Sequence, residues 1–207
     1  LEARHNPDNG NNVDIYWTSG EWYDKGNNIT SRINSGTMQG ELKMRDEVIK
    51  GYIADLDSLA RALVEETNKA HVSGQGLLRF NQLTSSNSVP NPEYPLKTQE
   101  GYLPYKIQDG TFSILIYDDK GAVADTHEIQ VEPGVDTLNG IAEKINAADG
   151  DLSKGLVNAY VDANGALKLT SDTGYTFAFG PDTSNFLTSA GFNNFWSGTD
   201  SSNIDLD

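Results

Sequence analysis

The chain has 207 residues with 15 lysines and arginines against 30 aspartates and glutamates, a formal net charge of -15, and no cysteine. That charge excludes polyanionic partners such as nucleic acid and anionic membrane surfaces, and the missing cysteines exclude disulfides, thiol nucleophiles and cysteine metal sites. No run of 18 apolar residues is present to span a bilayer.

The first dozen residues, with Asn6, Asn9, Asn11 and Asn12 around Asp8 and Gly10, read as a mobile lead-in. Val13 to Trp17 and Glu21 to Tyr23 flank Thr18-Ser19-Gly20 and are expected to form a short hairpin exposing Tyr16, Trp22 or both. Ser35-Gly36 then precedes the strongest signal in the chain, a helix over Met38 to His71. In it Leu42, Ile49, Leu56, Leu63 and Ala70 recur every seven residues, widened by Tyr52, Ile53, Leu59 and Ala60. Lys43, Glu47, Lys50, Asp57, Arg61, Glu65 and Lys69 occupy the other face, with acid four residues before base in Asp46/Lys50, Asp57/Arg61 and Glu65/Lys69. A helix of this span is about 50 Å long, the length of a coiled-coil or assembly element, although core burial would write the same period. Gly74 and Gly76 are placed to end it in a left-handed turn.

Val72 to Gly101 holds no lasting period. Pro90, Pro92, Pro95 and Ser85-Ser86-Asn87-Ser88 mark it as a linker or packed loop, which sets the domain boundary there: residues 1–100 as hairpin, helix and loop, residues 101–207 as an outer domain. In the outer domain Thr111 to Tyr117 and Glu128 to Glu132 pair across the turn Asp118-Asp119-Lys120-Gly121. Asp136 or Thr137 caps a helix presenting Leu138, Ile141, Ala142 and Ile145, ended by Gly150. Leu156 to Val161 and Ala166 to Thr170 alternate around Asp162-Ala163-Asn164-Gly165, and Tyr175 to Phe179 adds a strand. Asp182 or Thr183 starts a short helix stopped by Gly191, leaving Phe192, Phe195 and Trp196 as an aromatic cluster against the sheet. The whole is an α+β chain.

The residues that carry chemistry elsewhere do not assemble into a site here. His5, His71 and His127 have neither metal-ligand spacing nor a serine nucleophile beside them. Asp162-Ala163-Asn164-Gly165 starts like a calcium loop but lacks its later acceptors and closing glutamate, and Asp149-Gly150-Asp151 is no closer. Asn68, His71 and Gly74 share a helix end, where the C-terminal dipole and capping glycine account for them. Gly74-Gln75-Gly76 is too short for a phosphate cradle. Composition and motifs therefore assign no catalytic, cofactor or metal residue. Tyr16, Trp17, Trp22 and Tyr23 could stack on a sugar, so a secreted carbohydrate-binding module is the alternative to a structural protein.

A longer pattern is specific. Ser35-Gly36-Thr37-Met38-Gln39-Gly40-Glu41-Leu42, Arg45-Asp46, Tyr52, Leu56-Asp57, Leu59-Ala60, Asn68, His71 and Gly74 occur in order, as do Phe177 to Leu187, Ala190 to Gly198 and Ile204. The set resembles the hook-associated protein 1 family, which forms the hook–filament junction of bacterial flagella. Thr137 to Asn146 with Val157 to Ser171 is similar to a motif shared by hook-associated proteins and flagellins, which keeps a filament cap or flagellin-like subunit as a sister reading. Gly51, where relatives often carry proline, and Leu77-Leu78-Arg79-Phe80, in place of a glycine and paired phenylalanines, depart from the pattern.

The resemblance implies a structural, non-enzymatic subunit without cofactor, exported through the flagellar channel without a cleaved signal peptide and standing outside the cell. Its implied partners are other copies of itself, hook protein, a second junction protein or filament subunits, and an export chaperone. It also implies that this chain is a central piece lacking the terminal polymerising helices, hence monomeric alone, with Leu42, Ile49, Leu56 and Leu63 either exposed or covered by the Val72 to Gly101 segment.

Overall fold

The computed structural model describes residues 1–18, 27–74, 79–148 and 156–206. Packing divides them into two units, Leu1–Leu56 and Asp57–Asp207.

In the smaller unit the first residues are a strand rather than a lead-in. β1 (Glu2–Asn6) pairs antiparallel with β2 (Asn12–Trp17), Glu2 opposite Tyr16 and Asn6 opposite Asn12. The asparagine-rich stretch between them is turn chemistry: Asn6 caps a 3-10 turn at Pro7–Asn9 by accepting from the Asp8 amide at 3.0 Å, and Gly10 and Asn11, both at φ 60°, reverse the chain. β1 has no apolar face, being held by backbone pairing and by polar contacts of its side chains, which is why hydropathy misses it. β3 (Asn27–Asn28) flanks β2 on its other edge, while Glu21 to Tyr23, expected to pair with β2, lie outside the described residues.

The long helix is present and interrupted. α1 (Gly36–Lys43) starts after Ser35, whose extended backbone (φ -156°, ψ 164°) suits a cap but whose side chain makes no capping bond. A π-helical stretch, Met44–Ile49, comes next, and α2 (Lys50–Val72) completes it. The Gly74 amide closes the last turn on the His71 carbonyl at 3.1 Å, and Gly74 is not among the left-handed glycines, so the end is an ordinary turn.

The larger unit has two three-stranded antiparallel sheets. In one, β5 (Gly110–Tyr117) lies between β6 (Val123–Val131) and β9 (Thr176–Asp182). In the other, β8 (Ala166–Ser171) lies between β4 (Gln82–Ser88) and β7 (Val157–Val161). Both expected hairpins form, each around an aspartate. Asp118 Oδ1 accepts from the amides of Lys120 and Ala122, Asp162 Oδ1 from those of Asn164 and Ala166, and Gly121 and Gly165 take φ of 82° and 78°.

α3 (Leu138–Ala147) is capped by Thr137, whose hydroxyl accepts from the Gly140 amide at 2.9 Å, and buries Leu138, Ile141, Ala142 and Ile145 as expected. Gly150 lies outside the described residues. α4 (Phe186–Ala190) ends at Gly191 in the left-handed region; Asp182 reaches its Leu187 amide at 2.9 Å. The core joins α3 to both sheets through Ile114, Ile116, Ile129, Leu167, Leu169 and Phe177. Each such side chain contributes roughly 1.5–3 kcal/mol by leaving water. Val72 to Gly101 is packed against this body: Val89 and Leu96 are core residues, tied by the Val89 amide to Gly165 O and the Leu96 amide to Asp136 O. The expected aromatic cluster divides, since Phe192 is buried beside Phe179 whereas Phe195 is 42% exposed.

Candidate interaction surface

α2 packs through a row beside the heptad stripe. Its buried residues are Ala60, Val64, Asn68 and Val72, four apart. The charged face is engaged as well. Asp57 Oδ1 accepts from the Ser201 amide at 3.1 Å and hydroxyl at 2.5 Å, and Glu65 Oε1 from Asn185 Nδ2 at 3.0 Å while pairing with Lys69 at 2.9 Å.

Asn68, fully buried, is the central fastener. Its Oδ1 accepts from the Phe195 and Trp196 amides, both at 2.9 Å, and its Nδ2 donates to Trp196 O at 2.8 Å. The side-chain amide thereby completes the backbone hydrogen bonding of a chain segment that continues into β10 (Trp196–Ser197), itself paired with β11 (Asp205–Leu206). His71, expected only to favour the helix end, stands 5.6 Å from the Phe195 ring.

With its polar side occupied, the helix leaves the heptad side open. Ile49, Tyr52, Ile53 and Leu56 are exposed in the smaller unit, and Leu59 and Leu63 on the part of α2 in the larger one; Tyr52 and Leu59 reach 70% and 65%. Of the two expected fates, exposure holds for Ile49, Leu56 and Leu63, whereas Leu42 is half-buried. Within each unit, large apolar side chains on successive turns of the helix differ from the scattered apolar residues normal on a surface.

The smaller unit holds its own polar centre. Asp14, 4% exposed, accepts from Asn6 Nδ2 at 2.7 Å, Asn28 Nδ2 at 2.8 Å and Asn9 Nδ2 at 3.4 Å. Burial pushes its carboxyl up, but the three amide donors outweigh this and hold it below the usual carboxylate range. The donors are fixed, since Asn6 and Asn28 use their oxygens on the amides of Asp8 and Thr30, so this centre is a satisfied carboxylate.

The sugar-stacking candidates are not brought onto one platform by their strand. Tyr16 and Trp17 are successive residues of β2 and point to opposite faces; Arg4 covers Tyr16 at 4.9 Å, and Trp17 is 61% exposed. Trp22 and Tyr23, like Asp149-Gly150-Asp151 and Gly76, lie outside the described residues. His5 Nδ1 donates to Asn11 O, 2.9 Å away, and His127 is buried in β6 with Asp125 3.7 Å from it. Among the described residues no group of three or more His, Asp or Glu side chains could hold a metal, and no helix is long and apolar enough to cross a membrane. The exposed helix face was legible as a period; the fastening role of Asp57 and Asn68 was not, because their partners lie more than 120 residues away in sequence.

Comparison with known proteins places residues 1–82 in a match to the family described as flagellar hook-associated protein FlgK helical domain. No curated protein matches the chain. Among solved structures, the D1-D2-D3 domains of the flagellar cap protein FliD from Escherichia coli align at 16% identity and a TM-score of 0.33, over 77% of this chain and 50% of that one. The chain thus spans half the length of that structure.

Proposed function

We propose that the chain, a FlgK-like flagellar hook-associated protein by its residues 1–82, is a structural subunit of the junction between hook and filament. The observation that carries this reading is the row of large apolar side chains left in solvent, Ile49, Tyr52, Ile53 and Leu56 in the smaller unit and Leu59 and Leu63 in the larger one, where α2 is fastened by its other side. In an assembled junction such a face packs against helices that present apolar rows of their own. Its partners are further copies of itself, hook protein, and a second junction protein or filament subunits, met after export by way of a chaperone. The subunit stands outside the cell and has no catalytic role.

The test replaces the cell's own copy of the gene. A strain lacking it should make hooks without attached filaments, and the wild-type gene should restore them; a deletion strain whose filaments join normally overturns the reading. A strain carrying Leu56→Glu and Leu59→Glu should export the protein and fail to join filaments in electron micrographs.

A further inference from the structure

The stretch Met44–Ile49 is π-helical between two α-helical segments. A π turn carries each amide to the carbonyl five residues back instead of four, so it takes in about one extra residue and sets the phase of the next turns back by about 100°. Such turns are rare inside helices, and a deviation of this kind has an identifiable cause. Here Arg45 anchors the stretch. Its Nε and Nη2 grip the Asp46 carboxylate at 2.8 and 2.7 Å, and its Nη1 donates to Val13 O of β2 at 2.5 Å. Successive residues of an α-helix do not face one another, so a two-point grip between Arg45 and Asp46 suits the wider turn. One turn on, Lys50 Nζ donates to Asn9 Oδ1 at 2.6 Å, which ties the far end of the stretch to the chain between β1 and β2.

A second observation comes from the heptad itself. Over seven residues of α-helix a side chain drifts by only about 20°, so Leu42, Ile49 and Leu56 would share one row if the helix were α throughout. With the π stretch between them they do not. Leu42 is half-buried and lines a hollow of its own unit together with Ile33, Asn34 and Gln39, whereas Ile49 and Leu56 are 46% and 54% exposed. The sequence encodes an unbroken row that this conformation does not display.

We propose that Met44–Ile49 is a register switch. In the π register, pinned by Arg45 on Val13, Leu42 turns toward its own unit. In the α register Arg45 leaves Val13, and Leu42 joins Ile49 and Leu56 in a single apolar row. A partner helix with a complementary row touches Leu42 only in the α register, and this differential contact moves the population. The purpose of the switch rests on the helix-packing role proposed above; its existence is a property of the chain alone.

Hydrogen-bond couplings measured by NMR on the isotope-labelled chain test it. The wild type should show amides of the stretch coupled to carbonyls five back. Arg45→Met should move those couplings to four back and carry the Leu42 methyls into solvent alongside Ile49. Deleting Glu47 removes the extra residue, so it should give four-back couplings with Leu42 still turned inward. Couplings four back in the wild type, five back in Arg45→Met, or an outward Leu42 in the deletion variant each overturn the proposal. If Arg45→Met does not fold, Arg45→Lys decides: it keeps a donor for Val13 and loses the fork, and should show both coupling sets, whereas five-back couplings alone refute the switch. None of these readouts depends on the flagellar role, so a failed junction test leaves them intact.

Discussion

Two buried polar side chains set the local order of their units. Replacing Asn68 by alanine strips the partner from the Phe195 and Trp196 amides and from Trp196 O, and leaving such groups unpaired costs about 1–3 kcal/mol each where water cannot reach them. We expect Asn68→Ala to lower the denaturation midpoint and to speed amide exchange at residues 195–197 before it does so in β5. Asp14 makes a pH prediction. Its native pKa lies below its unfolded value, because the Asn6, Asn28 and Asn9 donors outweigh burial. Its contribution is therefore complete above about pH 4 and is lost as the pH falls through the lowered native value. Acid titration of stability should show this loss in the wild type and not in Asp14→Asn, whose stability should be lower at neutral pH.

The turns of the larger unit were readable because their chemistry is local. An aspartate that accepts amides two and four residues on, with a glycine of positive φ after it, fixes both hairpins within five residues of sequence. Gly165 is held doubly: a β-carbon there would strike Val89 O, and φ is 78°. Gly165→Ala should cost about 1–3 kcal/mol and disturb β4 as well as the β7–β8 turn, which thermal melting and exchange at Val89 would register. The helix was equally legible in extent and period, since Met38 to His71 writes all but its ends without a proline. What escaped was decided by distant partners. β1 has no apolar face to betray it, the segment after Val72 joins a core built from the other half of the chain, and the π stretch is anchored by an arginine on a carbonyl 32 residues earlier. Periodicity reported which residues form a row on α2; it could not report which side the rest of the chain would cover.

For the whole molecule, the open row and the charge of -15 pull in opposite directions. Apolar surface favours association, while like-charged copies repel over a Debye length of about 30 Å at 0.01 M salt and about 8 Å at 0.15 M. Association of copies should therefore strengthen as salt rises across that range, a trend sedimentation would measure. Leu59→Glu with Leu63→Glu should leave stability within about 0.5 kcal/mol of wild type, since both positions face water, yet weaken association at every salt concentration. The fastening of the last segment to α2 has a mechanical meaning. Asn68 holds Trp196, and Asp57, eleven residues earlier on the helix, holds Ser201, so the two clasps sit about 16 Å apart along one axis. Tyr105 adds a third clasp between them in sequence, its hydroxyl donating to Gly198 O at 3.1 Å. Tension applied along the helix loads the Asn68 and Asp57 clasps together in shear, where a pull across it would unzip them singly.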